Sequence, residues 1–250
     1  MDKELKVFGH PRYAGGTMGR IVAIAGGDLV STRQINTYAI RLSNKRNANV
    51  LFVGTASHDA KGYIESIAEE YTFLGCNIKN LCLVTDVCSD DETDGLLSWA
   101  DVIYVGGGDT VFMMQTWRKF HLDEKLKRIY ERDTAVLTGI SAGAICWFNC
   151  GHSDSGAFQN GESRKYCWAN DMLDIFHIAY CPHYNEKGRD TFDIMLKQKD
   201  MPGLAMENNT AFVCNNGRRY CIRSTSAAKA FFIRAKDDLI EKKEVSFEEI

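Results

Sequence analysis

Five short runs rich in β-branched residues alternate with segments of helical spacing, and that rhythm limits the possible folds more than any other feature. The runs are RIVAIAGG (20–27), NVLFVGTAS (49–57), IKNLCLV (78–84), DVIYVGGGD (101–109) and TAVLTGIS (134–141). They read as buried strands. Between them, TRQINTYAIRLSNK, AKGYIESIAEEYTFLG, DGLLSWA and VFMMQTWRKFHLDEKLKRIYERD show helical periodicity or helix-forming composition. Strand, helix, strand in succession predicts an α/β fold, a mostly parallel sheet with helices on both faces. HIAYCPHY (177–184) reads as a further strand and RDTFDIMLKQK as a helix. The last fifty residues read as strands joined at an Asn-Asn-Gly turn, giving a small antiparallel C-terminal portion. No repeat, linker or low-complexity tract interrupts the pattern, so residues 1–250 are expected to form a single domain.

Composition narrows the function classes. The 250 residues are 45% hydrophobic and carry a formal net charge of -3. That is enough apolar material for a substantial core, and it leaves no electrostatic footprint for nucleic acid or an anionic membrane. No apolar run reaches transmembrane length. The start, MDKELKVFGHPRYAGG, has early charge and no continuous apolar stretch, unlike a secretory signal. A cytoplasmic protein is expected. The nine cysteines are odd in number and include no C-x-x-C pair. Cys146 and Cys150 share one face of a predicted helix beyond residue 141. Free, mostly buried thiols are expected, with no metal and no cofactor.

Open parallel sheets gather ligands beyond the carboxyl ends of their strands, which draws attention to three loops: Gly26–Asp28, Gly106–Thr110 and the turn at Ser141. Residues 139–143, Gly-Ile-Ser-Ala-Gly, fit G-x-S-x-G. Glycines at the two ends allow a strand and a helix to meet at close quarters, leaving the serine Oγ exposed at the helix start. The alternative is a tight turn with a serine N-cap. Consecutive glycines at 106–108 can point backbone N–H groups into a site, for an oxyanion or a phosphate. The phosphate reading is weakened because Val111 stands where G-x-G-x-x-G needs glycine, and no G-K-[ST] occurs. Of six histidines, His58 and His183 follow strands at the carboxyl edge. His183, fixed behind Pro182, is preferred as a base for Ser141, with His58 as the rival. His152 would lie at the far end of a straight helix from Ser141. For the orienting acid, Asp154, Glu162, Asp171 and Asp174 all lie between Ser141 and His183, and spacing does not choose among them.

GGGDT, then GISAGAICWF about thirty residues on, then CPHY, together resemble the serine peptidase family of dipeptidase E (α-aspartyl dipeptidase) and cyanophycinase. The resemblance runs from IVAIAGGDL to the MENNTAFV strand pair, over most of the chain. It implies a fold akin to class I glutamine amidotransferases, with serine in place of their cysteine, and a Ser-His-Asp/Glu triad and acyl-enzyme. By motif, Ser141 matches the nucleophile and His183 the base. Ala142, Gly107 and Gly108 match the oxyanion hole. Asp154 falls near the acidic position, with Glu162 second, and Glu207 matches a glutamate common in the family. The substrate implied is a small peptide, including aspartyl dipeptides. An acidic side chain there would need a cation, and Arg164 and Arg189 flank the expected site in sequence. A homodimer is compatible with the sequence. Two rivals are an α/β-hydrolase-like esterase, which usually has its histidine near the C-terminus, and a non-catalytic small-ligand-binding α/β protein.

Overall fold

The computed structural model describes residues 19–160, 166–236 and 239–250. Five strands, β1 (Arg20–Ile24), β2 (Asn49–Val53), β3 (Asn77–Leu81), β4 (Val102–Val105) and β5 (Val136–Ile140), lie parallel in the order β1-β5-β4-β2-β3. Successive side chains of a strand point to opposite faces, and here both faces are covered. Ile21, Ala23, Ile103 and Val105 pack with Leu97, Met113 and Leu126 from helices α3 (Asp90–Trp99), α4 (Thr110–Lys119) and α5 (Leu122–Arg132). Val22, Ile24, Val102 and Tyr104 pack with Ile35, Ala39, Ile67 and Tyr71 from α1 (Arg33–Leu42) and α2 (Lys61–Phe73). This double cover is why β4 and β5 have no exposed residue and why β4 reads as an unbroken apolar run.

Beside β1 the chirality of the βαβ units ends. β10 (Thr210–Asn215) pairs antiparallel with β1, and β11 (Arg218–Arg223) turns back on it through the expected Asn-Asn-Gly turn. Short β14 (Phe247–Glu248) closes this eight-stranded sheet.

A second, six-stranded sheet departs from the single sheet read in the sequence. Its order is β13-β12-β9-β8-β6-β7, with β6 (Phe148–Ser153), β7 (Cys167–Ala169), β8 (Phe176–Cys181), β9 (Gly203–Met206), β12 (Ala230–Lys236) and β13 (Leu239–Glu244). An aromatic seam joins the two sheets. Phe148 and Phe176 of the second sheet meet Phe212 of β10 at centroid separations of 5.8 and 5.0 Å, within the range that favours offset and edge-on aromatic packing.

One element reading needs correction. The helix expected to run from Ser141 past Cys150 is a single turn, α6 (Ala142–Ile145), and residues 148–153 form strand β6 paired parallel with β8. His152 therefore lies on a strand, not at the far end of a helix. The helical segment over 111–133 is two helices, α4 and α5, that meet at His121, whose φ of 55° is left-handed. All nine cysteines are free, six of them buried. No helix among the described residues is long and apolar enough to cross a membrane.

Candidate active site

Ser141 sits where β5 turns sharply into α6. Its backbone holds φ 56° and ψ -114°, a conformation that costs a non-glycine residue about 1–3 kcal/mol. The surroundings enforce it. The Ser141 N–H donates to Ile24 O of the neighbouring strand at 3.1 Å, and its carbonyl accepts from Ala144 and Ile145. A methyl on Gly139 would strike the Gly143 carbonyl, and one on Gly143 the Val105 carbonyl. The half-buried hydroxyl is thus lifted above the carboxyl edge of the sheet.

His183 arrives from the other sheet. Pro182 follows the end of β8, and His183 takes a left-handed φ of 54°, with its loop anchored by Tyr184 N–H donating to Met206 O at 2.9 Å. Its Nε2 lies 2.8 Å from Ser141 Oγ. His183 Nδ1 faces Asn208 Oδ1 at 2.6 Å and Glu186 Oε1 at 3.2 Å. Asn208 Nδ2 donates to the same Glu186 oxygen at 3.0 Å. The hydrogen bond from His183 pulls the Glu186 carboxyl down to about 2, outweighing partial burial. Asn208 and the electrostatic pull of His183 and Arg189 act in the same direction.

Asp154 is not brought to this imidazole. Its carboxylate faces Arg189, Nη2 to Oδ2 3.8 Å, because strand β6 carries it toward the loop before the helix Thr191–Leu196 rather than toward Ser141. Glu162 and Arg164 lie outside the described residues. Arg189 is no solvated surface cation. Only 3% of it is exposed, its guanidinium lies 4.5 Å from the Tyr166 ring centroid, and Nη1 donates to His152 O at 2.8 Å. His152 is likewise buried, 3.0 Å from Thr191 Oγ1. Burial, reinforced by Arg189, pushes its imidazole down to about 3. His58, the rival base, stacks on Phe112 at 4.0 Å and makes no contact with Ser141 among the described residues. Glu207 tethers the turn after β9, accepting from Lys229 N–H at 2.9 Å.

The glycine loop lies beside the serine. A Cβ on Gly107 would approach Ser141 Cβ to 3.3 Å, and the Gly107 N–H points at the Tyr63 hydroxyl across a long 3.4 Å. Gly108 has a φ of 139° and packs on the Ala56 carbonyl, leaving no room for a side chain. Buried Asp109 caps α4, accepting from Val111 and Phe112 N–H at 3.0 and 3.1 Å. A carboxylate already occupies the position where a phosphate-binding loop would hold its anion, so this helix start is not a phosphate cradle.

The groups that sequence reasoning missed are Asn208 and Glu186. Glu186 carries a faint signal, lying three residues beyond His183 in HYNE. Asn208 carries none, since a neutral amide is not sought as the third member of a triad.

A strained serine on a strand-to-helix turn, hydrogen-bonded to an imidazole beside a glycine loop, is the arrangement that nucleophilic hydrolases of α/β type use. The fold agrees with that class. The crystal structure of a peptidase from an acI-B1 Actinobacterium superposes with a TM-score of 0.68 at 18% identity, covering 93% of this chain and 98% of that one. The putative peptidase E protein of Listeria monocytogenes superposes with a TM-score of 0.62 at 19% identity, covering 82% of this chain and 98% of that one, so the α/β fold is shared. Residues 21–221 match the model of Peptidase family S51. The chain belongs to this family and is a serine-class peptidase. It is 31% identical over 225 residues to the uncharacterized peptidase YgaJ of Bacillus subtilis, covering 86% of this chain and 91% of that protein. It is 29% identical over 150 residues to the uncharacterized peptidase Lmo0363 of Listeria monocytogenes, covering 57% of this chain and 69% of that one.

Proposed function

We propose that this protein hydrolyses short peptides through an acyl-enzyme on Ser141, with His183 as general base and then general acid. The observation that carries the reading is the 2.8 Å separation of Ser141 Oγ and His183 Nε2, within reach for direct proton transfer. As Oγ attacks the scissile carbonyl, Nε2 takes its proton. The carbonyl oxygen becomes an oxyanion, for which the Ala142 and Gly108 N–H groups are the donors, the expected Gly107 N–H being turned to the Tyr63 hydroxyl. Preorganised donors of this kind contribute about 3–4 kcal/mol each when removed singly. The imidazolium returns its proton to the leaving amine, and water, activated by the same nitrogen, releases the acyl group.

Family membership supports the peptidase chemistry, and the backbone strain at Ser141 supports the nucleophile. Aspartyl dipeptides are the first substrates to test. The experiment is a dipeptide library, Asp-X and others, hydrolysed by native protein and by Ser141→Ala. Turnover by the native chain alone is the expected result. Equal turnover by the alanine variant would end the proposal, whereas strong turnover of p-nitrophenyl esters without any of peptides would favour the esterase.

A further inference from the structure

We infer that Asn208 and Glu186 together orient His183, the amide as the direct acceptor of its Nδ1–H and the carboxylate as the group that fixes the amide and faces the imidazole. This rests on the reading of Ser141 and His183 given above. It replaces the single acid between serine and histidine with a neutral and an ionised partner that both follow the histidine in the chain.

The hydrogen-bond pattern determines the protonation of the ring. An asparagine amide has one acceptor oxygen and one NH2 donor. Asn208 Nδ2 lies 3.0 Å from Glu186 Oε1, and a carboxylate accepts only, so the NH2 end must face Glu186. That leaves Oδ1 facing His183 Nδ1 at 2.6 Å. Nδ1 must then carry the proton, and Nε2 presents its lone pair to Ser141 Oγ at 2.8 Å. This is the tautomer a general base requires. Glu186 thereby acts through Asn208 and also directly, since its Oε1 is 3.2 Å from Nδ1.

The pair is built into the fold. Asn208 sits on the turn between β9 and β10, its N–H donating to Asn185 Oδ1 at 2.9 Å. The next residue, Asn209, donates to Gly26 O at 2.8 Å. Gly26 has no side chain where both Asn208 Oδ1 and the imidazole lie. Among the described residues the groups facing the ring are therefore Ser141, Asn208, Glu186 and the Gly26 backbone, and Arg189 acts electrostatically on Glu186. The side chain of Glu186 is 48% exposed, so solvent screens its charge and the amide carries the larger share of the positioning.

The test is the second-order rate constant for phosphonylation of Ser141 by a fluorophosphonate, measured from pH 5 to 9 on the full chain. Asn208→Leu, close in shape but without an acceptor, is expected to lose about 100-fold or more. Asn208→Asp should retain the rate within a few-fold and move the acid limb to higher pH, because a second carboxylate favours the protonated ring. Glu186→Gln should lose about tenfold and move the acid limb to lower pH. Full rates and an unmoved limb in Asn208→Leu and Glu186→Gln, with Ser141→Ala unreactive, would overturn this inference and leave the serine mechanism standing. Phosphonylation of the Ser141→Ala protein at the native rate would instead remove the mechanism on which it rests. Should Asn208→Leu fail to fold, the exposed Glu186→Gln change decides through its pH limb, an unmoved limb counting against the inference.

Discussion

Replacing Gly26 by alanine should disable the site without touching any reacting group. A Cβ at this position would stand under 3.0 Å from Nδ1 and Cε1 of His183 and from Asn208 Oδ1. Gly26 is not among the positive-φ glycines, so alanine fits the backbone and the effect is steric. Restoring ordinary contact requires the ring to retreat by about 1 Å. The 2.8 Å bond from Nε2 to Ser141 Oγ would then stretch to roughly 3.8 Å, beyond hydrogen-bonding range. A displacement of that size costs on the order of 100-fold in rate, equivalent to about 2.7 kcal/mol of transition-state stabilisation. Overpacking adds about 1–3 kcal/mol of destabilisation, so thermal unfolding must be followed beside phosphonate labelling of Ser141. Gly62→Ala is the control. It lies in α2 with nothing within 4 Å of an added methyl, and should gain up to about 1 kcal/mol in stability with unchanged labelling. A Gly26→Ala protein that is folded and labelled at the native rate would refute the placement of His183.

Ser141→Gly and Ser141→Ala should both be inactive, but the glycine variant should be more stable by about 1 kcal/mol in urea unfolding, because alanine keeps a Cβ at φ 56°. Folding stability should fall as pH drops below 6.5 toward 3, because the unfolded chain binds a proton at His152 that the folded protein, with this imidazole down at about 3, refuses. The slope from this group is up to about 1.4 kcal/mol per pH unit, and chemical denaturation at pH 7 and pH 5 should show it shrink in His152→Gln. Asp109→Ala removes the cap of α4 and should cost about 1–2 kcal/mol, with Asp109→Asn close to native by thermal melt.

Ser141, His183 and the glycine loop were legible because their signals are local. A serine between two glycines at the end of a β-branched run specifies a tight strand-to-helix turn, and a histidine behind a proline at a strand end specifies an edge position. The identity of residues 146–153 was not legible. CWFNCGHS is a short apolar run, which periodicity alone cannot assign to helix or strand. Its state is decided by pairing with β8, Phe148 against Phe176 and Cys150 against Ala179. The helical reading of this run also misplaced His152, whereas Asp154, expected as the acid from the resemblance alone, is carried by strand β6 to Arg189 instead. Asn208 was hidden differently. It reaches His183 only because the turn after β9 carries the chain from one sheet to the other, a long-range event with no imprint on neighbouring residues.

Ser141 follows a strand of the eight-stranded layer and His183 a strand of the six-stranded one, so the 2.8 Å contact between them doubles as a gauge of how the layers are seated. Loosening of the aromatic contacts at Phe212 would tilt one layer against the other before either lost its ladder of backbone bonds. Reactivity of the serine should therefore disappear at milder denaturant than far-ultraviolet circular dichroism does, making this hydroxyl an early reporter of partial opening.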